Sequence, residues 1–306
     1  MILFTKFRKI IYTVSIILVA VSLASIAVFG LKFGIEFTGG SVLEVQYENQ
    51  APSLEEVQEQ ISVLDLGDVS VQVSGDNRVI LKMKPVDEQQ KEEILLKMQA
   101  MGAVEPGSES FQVIGPVIGR ELKNKTQIVI VLSLLSILIY VAVSFRKISR
   151  PVKSYFYGLT GIVALCHDII IPLGVFAWLG HYAGTEVTIP IITALLTVFG
   201  YSINDSVVVF DRIRENLFKS KGGSFDAIVD ASLNQTLGRS VNTSFTVILV
   251  LLAILLFGGS TLRYFSLALL LGVAFGTYSS IFLASLLIVT LFESKQKRVL
   301  KKAKIK

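Results

Sequence analysis

Residues 187–210 form the stretch VTIPIITALLTVFGYSINDSVVVF, in which Asp205 is the only charged residue. A helix of roughly 20 apolar residues is long enough to cross the hydrocarbon core of a bilayer. Five more stretches are comparably long and poor in charge: residues 10–31, 126–145, 154–185 (interrupted by Asp168), 240–262 and 264–292. The sequence therefore predicts an α-helical polytopic membrane protein with six transmembrane helices.

The overall composition supports a membrane protein and excludes an ordinary soluble enzyme. Of the 306 residues, 52% are hydrophobic and 17% are charged, whereas soluble domains have roughly 25% charged residues. Cys166 is the only cysteine and there are two histidines, so neither an intramolecular disulfide nor a Cys/His metal site is expected. No cofactor is expected either. We interpret Cys166 as a small buried apolar residue.

The basic residues predict the orientation of the chain. Nineteen of the 29 lie before residue 10, in 146–153, from 212 to 239, or after 294, whereas the short loops on the opposite side hold only Arg263. Cytoplasmic loops carry such an excess, so the N-terminus (1–9) and the basic tail (293–306) are predicted to be cytoplasmic. The net charge of +5 is attributed to this orientation and to contact with anionic lipids, and no nucleic acid is expected as a partner.

Residues 32–125 separate the first helix (10–31) from the other five (126–292) and are polar enough to form a domain outside the membrane. They contain 16 of the 24 acidic residues. Strands are predicted at 41–47, 69–73, 79–83 and 111–114, and capping boxes at Ser53 and Asp87 predict two helices between them. This β-α-β-β-α-β order predicts a small α+β extracytoplasmic domain of the ferredoxin-like type.

A glycine-rich stretch, GIEFTGG at residues 34–40, precedes the first strand. Gly34, Gly39 and Gly40 are typical of a left-handed turn or of a close approach between backbone segments. A phosphate-binding loop would need a lysine and a following helix, so nucleotide binding is not expected.

Asp168 and Asp205 lie inside the predicted spans, where an ionisable group costs at least about 2.5 kcal/mol. Helical spacing places Asp205 on a polar face, flanked by further polar residues; the set is Thr193, Thr197, Tyr201, Asn204 and Ser206. The next span has a second polar face with Thr236, Ser240 and Thr243, beside Arg239. Arg239 is the expected partner of Asp205.

Two roles for these acids remain open. Asp205 lies roughly 8 Å from the cytoplasmic end of its span, and Asp168 roughly 20 Å from the start of its own, by a rise of 1.5 Å per residue. Acids at different depths with hydroxyls between them are suited to a proton relay, whereas an Asp205–Arg239 pair can also simply hold helices together. Asp168 can likewise belong to such a relay or simply accept hydrogen bonds between helices.

Other residues predict packing. His167 is interpreted as a hydrogen-bonded packing residue, without a serine nucleophile motif for hydrolysis. Gly272, Gly276 and Ser280 recur every four residues and predict close helix contact. Phe218, Phe225 and Ile228 predict amphipathic helices that lie on the membrane surface.

Residues 200–216, GYSINDSVVVFDRIREN, closely resemble the signature of the SecF family, the smaller half of the bacterial SecDF secretion factor. The glycine-rich stretch, His167-Asp168, residues 234–240 and residues 276–280 agree with the family in the same order, so the resemblance covers the whole chain. Glu36 departs from the pattern, because the family often has Asp there.

The resemblance implies the resistance-nodulation-division (RND) membrane fold in the bacterial cytoplasmic membrane. It implies pairing with SecD, work with the SecYEG channel and YidC, and use of protons to export unfolded polypeptide. Carried over to this chain, the family's proton path matches Asp205 and Arg239, and its membrane acid in the third helix matches Asp168. Two alternatives remain: half of a proton-coupled RND efflux transporter, and a non-transporting assembly scaffold.

Overall fold

A computed structural model describes residues 2–64, 66–67, 69–75, 77–144, 154–219 and 224–303. The chain divides into a helical unit, residues 1–32 with 129–306, and a sheet unit, Phe33–Ile128. The predicted basic loop at 146–153 and the end of the basic tail at 304–306 lie outside the described residues.

The elements follow one another along the chain after a 3-10 turn at Phe4–Phe7. They are α1 (Arg8–Phe29), α2 (Ile35–Thr38), β1 (Gly40–Gln46), α3 (Leu54–Ser62), β2 (Ser70–Ser74), β3 (Arg78–Met83), α4 (Glu88–Met101), β4 (Ser110–Ile114), α5 (Pro116–Ser144), α6 (Ser154–Ala183), α7 (Ile189–Lys219), α8 (Phe225–Phe257), α9 (Ser260–Tyr278), a π-helical segment (Ser279–Ala284) and α10 (Ser285–Ala303).

Six helices of the described chain are long and apolar enough to cross a membrane, which agrees with the six predicted spans. They cover Phe4–Phe29, Pro116–Ser144, Tyr155–Ala183, Ile189–Lys219, Phe225–Phe257 and Leu262–Gln296. Several helices extend well beyond the uncharged stretches, because a helix can continue past the hydrocarbon into water.

These extensions make the prediction of surface-lying amphipathic helices wrong. Phe218 belongs to the last turn of α7, and Ile228 lies in the first turn of α8. Phe225 starts α8 and is buried, with its ring 4.6 Å from that of Phe292. Both apolar positions of α8 therefore belong to one long helix.

The helical unit is built around α6, α7 and the sixth span, because about half of their apolar windows is buried, compared with 6% in α5. Glycines allow the close contacts. A Cβ on Gly272 would overlap Val198, and one on Gly276 would lie 3.2 Å from the Ser202 Cβ. The prediction that Gly272 and Gly276 mediate helix packing is confirmed.

The N-terminal turn is fastened to α8. The backbone N–H and hydroxyl of Thr5 donate to the carboxylate of Asp230 at 2.9 and 2.7 Å, and Asn234 bonds the backbone of Ile2. Arg8 forms a 2.7 Å ion pair with Glu293 of α10. The start of α1 is thereby tied to two other helices.

The sheet unit contains one antiparallel sheet in the order β2-β3-β1-β4. Together with α3 and α4 the strands follow the predicted β-α-β-β-α-β order. Both predicted capping boxes are present, at Ser53 with Glu56 and at Asp87 with Gln90. The core lies between one sheet face and the two helices; it includes Leu43, Val45, Tyr47, Val57, Ile61, Val79, Leu81, Ile94 and Met98.

Gly39 and Gly40 have the conformation predicted for the glycine-rich stretch, whereas Gly34 has an ordinary extended φ of −67°. Gly34 caps the short helix α2, while Gly39 and Gly40 have φ angles of +77° and +148°. A Cβ on Gly39 would lie 2.9 Å from the Pro116 Cα, and one on Gly40 would lie 2.8 Å from the Met83 carbonyl oxygen. Both a positive φ and a close backbone approach therefore require glycine here.

Candidate functional site: two intramembrane acidic networks

Asp205 lies on α7, half-buried against α8. Its Oδ1 accepts a hydrogen bond from the hydroxyl of Ser240. Its Oδ2 is buried and has no hydrogen-bond partner among the described residues. One turn earlier on the same helix, Tyr201 donates to Ser244 Oγ at 3.0 Å, and Ser244 is bonded to Thr277 of α9. The first network thus joins α7, α8 and α9 and contains a carboxylate with one unsatisfied oxygen.

Asp168 forms a separate network with different properties. Its carboxylate is 0% exposed. Ser202 of α7 and Ser279 of the π-helical segment donate to Oδ2 at 2.6 and 2.7 Å, and the Nδ1 of His167 lies 2.9 Å from Oδ1. This carboxylate therefore has polar partners on both oxygens, as a hydrogen-bond acceptor between helices would.

Serines extend the Asp168 network across the helices. Ser206 Oγ donates to Ser280 Oγ at 2.9 Å, and Ser280 Oγ donates to the Ser202 carbonyl oxygen at the same distance. Ser202 and Ser206 form one stripe of α7, while Tyr201 and Asp205 form the neighbouring stripe, since successive residues of a helix point about 100° apart. The two acids therefore occupy two distinct networks on adjacent faces of α7.

The expected pair between Asp205 and Arg239 is not formed: the salt bridges among the described residues do not include one between these two side chains. Arg239 is exposed, whereas its neighbour Ser240 is buried and contacts Asp205. The rotation between consecutive helical residues explains this outcome, because when Ser240 faces α7, Arg239 faces away from it.

The remaining residues of the predicted polar face divide between the inside and the outside of the unit. Thr197, Asn204 and Thr243 are exposed, and the hydroxyls of Thr197 and Thr243 bond carbonyls of their own helices. Ser206 is buried in the Asp168 network. Thr197 and Asn204 share one exposed face of α7, and Arg239 and Thr243 share one exposed face of α8. These four residues are called the polar outer stripe.

Several network residues were not singled out from the sequence. Ser202, Ser244, Thr277 and Ser279 carry the contacts described above, and Ser202/Ser206 and Ser240/Ser244 each recur at four-residue spacing. That spacing within an apolar span is the signal that identifies them. The interpretation of Cys166 as buried is wrong, because it is exposed on the outer face of α6.

Six apolar helices with two hydroxyl-bound carboxylates at their interfaces define a polytopic membrane protein with intramembrane acidic sites. Residues 95–294 match the family model described as protein export membrane protein SecD/SecF, C-terminal, and residues 24–51 match the SecD/SecF GG motif. The chain therefore belongs to the SecD/SecF family of protein-export membrane proteins, in its SecF branch.

Individual relatives agree with this assignment. The chain is 40% identical to protein translocase subunit SecF of Thermobaculum terrenum, covering 93% of this chain and 92% of that protein. It is 39% identical to the SecF of Vibrio alginolyticus, covering 96% and 90% of the two chains.

Among solved structures, the fold resembles SecDF, a translocon-associated membrane protein from Thermus thermophilus, with a TM-score of 0.82 and 32% identity. The match covers 94% of this chain and 38% of the SecDF chain. The chain thus spans less than half of the SecDF chain that it resembles.

Proposed function

We propose that this chain is the SecF half of a proton-driven secretion unit in the bacterial cytoplasmic membrane. In this role it uses the proton motive force to promote late steps of Sec-dependent export of unfolded polypeptide. The observation that carries the proposal is the environment of Asp205: a half-buried carboxylate at a helix interface, with one hydroxyl donor and a second oxygen that is buried and has no partner among the described residues.

Such a carboxylate is suited to gaining and losing a proton. In the ionised form, the buried Oδ2 has no donor among the described residues to stabilise its charge, which is costly in an apolar medium. In the protonated form, the carboxyl group can itself donate a hydrogen bond. Proton binding thus changes the contacts available between α7 and α8, and a change of charge at an interface shifts the populations of two conformations.

Arg239 has a defined place in this scheme. It is exposed next to Ser240, which holds Asp205. We propose that a rotation or slide of α8 against α7 exchanges Ser240 for Arg239 at the carboxylate in the ionised state, and that protonation of Asp205 reverses it. Asp205 and Arg239 are therefore proposed as the proton-responsive pair, with Asp168 as a further member of the proton path.

The polar outer stripe supports a membrane partner. Asn and Arg side chains facing lipid are costly, and polar residues in spans normally face other helices. We assign the stripe to contact with SecD, which completes a twelve-helix unit of the RND type. SecYEG, YidC, the exported polypeptide and surrounding lipids are proposed as further partners. Both termini are placed in the cytoplasm, and the sheet unit is placed outside as a ferredoxin-like domain.

The experiment that tests this function compares two identical substitutions on the same helix. Asp205→Asn removes the titratable group, whereas Asp211→Asn changes an exposed carboxylate further along α7. Export of a reporter protein is measured in membrane vesicles that contain the SecD partner and the channel, with and without an ionophore. We expect Asp205→Asn to abolish the gradient-dependent part of export, and Asp211→Asn to retain it.

Gradient-dependent export at the wild-type rate in Asp205→Asn vesicles would refute the proposal and favour a scaffold role.

Arg239→Lys keeps the charge but loses the planar guanidinium, so we expect a partial loss of gradient-dependent export. Mass spectrometry of proteins that copurify in mild detergent separates the transporter alternative, because recovery of the chain as a homo-oligomer without SecD or channel subunits contradicts the secretion role.

A further inference from the structure

His167 and Asp168 form a deeply buried pair on α6, in which the proposed function gives a role to Asp168 but none to His167. The two side chains are 3% and 0% exposed, and the Nδ1 of His167 lies 2.9 Å from Asp168 Oδ1. Adjacent helical residues point about 100° apart, yet the His167 ring meets the Asp168 carboxylate. Aromatic rings of α9 flank His167, while Ser202 and Ser279 bind Asp168. The pair brings two ionisable groups into direct contact inside the bundle.

The second ring nitrogen of His167 is available to a proton. Its Nε2 is buried and has no hydrogen-bond partner among the described residues. A neutral histidine has one protonated and one bare nitrogen. With Nδ1–H donating to Asp168, the bare lone pair is on Nε2. Proton uptake at this atom turns the ring into an imidazolium without breaking the contact to the carboxylate.

The groups that contact His167 can compensate a positive charge on its ring. Two serine hydroxyls and His167 satisfy the ionised form of Asp168. A single negative charge in this position is costly without a compensating cation. The ring of Tyr278 is stacked on His167 with centroids 5.9 Å apart, and Phe275 lies edge-on at 6.4 Å. Aromatic faces at about this distance attract a cation.

The other titratable side chains near the pair do not compete for the proton. Tyr278, from α9, donates its hydroxyl to the Ile11 carbonyl of α1. Cys166, on α6 itself, is exposed on the outer face. Asp205 lies on the neighbouring stripe of α7, where Ser240 of α8 binds it. In the described part of the chain, no Lys or Arg forms an ion pair with Asp168.

We propose that His167 and Asp168 together form a second proton-binding site, in which the proton is held on Nε2 of His167. When the proton is bound, the pair is neutral overall. When it leaves, a negative charge remains at the point where Ser279 joins the π-helical segment to α6. The role of this site in transport rests on the proposed function, whereas its existence can be tested without it.

The test uses the fact that the chain has only two histidines. The full-length chain is labelled with ring-¹⁵N histidine, placed in lipid nanodiscs and studied by solid-state NMR, in which nitrogen shifts distinguish bare from protonated ring nitrogens. A His181→Gln variant leaves His167 as the only labelled ring; His181 is exposed and stacks on Phe29, away from the pair. When the pH of the sample is lowered, we expect a form in which both nitrogens of His167 are protonated.

Asp168→Asn should leave His167 with one bare nitrogen at the same pH, because the compensating carboxylate is gone. Ser206→Ala, which alters the network without touching the pair, should keep both nitrogens protonated. A bare Nε2 in the His181→Gln protein from acidic to neutral pH overturns the proposal, and this readout does not depend on the Asp168 variant folding.

The result is independent of the test of Asp205. A doubly protonated His167 combined with unimpaired export by Asp205→Asn retains the site and removes the proposed function. A bare nitrogen combined with lost export in Asp205→Asn does the reverse.

Discussion

The crossing of α1 and α6 provides a quantitative prediction through Gly174. A Cβ at this position would lie 2.5 Å from the Cα of Ser22 and would also overlap the Ser22 Cβ. Carbon atoms pack at about 3.5–4.0 Å, so Gly174→Ala must move the helices apart by at least about 1 Å. Rotation of the Ser22 side chain cannot relieve the overlap, because the obstructing atom belongs to the backbone.

The expected cost has three parts. Overpacking costs about 1–3 kcal/mol. The separation also stretches the 2.8 Å hydrogen bond from Ser25 Oγ to the Gly174 carbonyl, which is worth about 0.5–1.5 kcal/mol. The higher helix propensity of alanine returns up to about 1 kcal/mol. We therefore expect a net destabilisation of about 0.5–3.5 kcal/mol.

The assay is reversible unfolding of the purified full-length chain in detergent, followed by circular dichroism. Gly238→Ala is the matched control, because it is helical and a Cβ there meets no atom within 4 Å; it should be neutral or stabilise by up to about 1 kcal/mol. Equal stability of Gly174→Ala and the wild type would refute the close crossing of α1 and α6.

Two further predictions concern the sheet unit. Gly40→Ala should destabilise the sheet unit by about 1–3 kcal/mol, because φ is +148° and the Cβ would lie 2.8 Å from the Met83 carbonyl oxygen. Hydrogen exchange of β1 and β3 in the full chain measures this loss. Equally slow exchange in Gly40→Ala and in the unobstructed control Gly115→Ala would contradict it. Burial raises the pKa of Tyr47 to about 12, so the unfolded state releases the phenol proton first as pH rises. The free energy of unfolding should therefore fall by about 2.7 kcal/mol between about pH 10 and pH 12. The same exchange measurement should show no such fall in Tyr47→Phe, and a pH profile identical to that of the wild type argues against the prediction.

Local signals account for what the sequence predicts correctly. The six spans follow from long uncharged runs, and the two helices of the sheet unit follow from capping boxes that involve residues three apart, such as Ser53 and Glu56. Gly39 and Gly40 indicate positive φ angles for the same reason, because the steric restriction lies within the residue itself and its immediate neighbours.

Long-range contacts account for the errors. Apolar residues cover both the inside and the outside of a membrane bundle, so hydropathy does not distinguish a buried cysteine from an exposed one, and Cys166 was misassigned. The partner of Asp205 depends on the rotation of α8, which places Ser240 rather than Arg239 at the interface. The helix boundaries also differ from the predicted spans, since charge marks where a helix leaves the hydrocarbon and not where it stops; α7, for example, continues to Lys219.

The π-helical segment Ser279–Ala284 sets the angular position of everything that follows it. A π turn closes on the carbonyl five residues back, and the Ser285 hydroxyl likewise bonds the carbonyl of Ser280. The extra residue turns α10 by about 100° relative to an uninterrupted α-helix. Thr290 and Glu293 owe their orientation toward Tyr12 and Arg8 to this offset. Converting the segment to a regular α-helix would therefore rotate Thr290 and Glu293 together and break both contacts with α1.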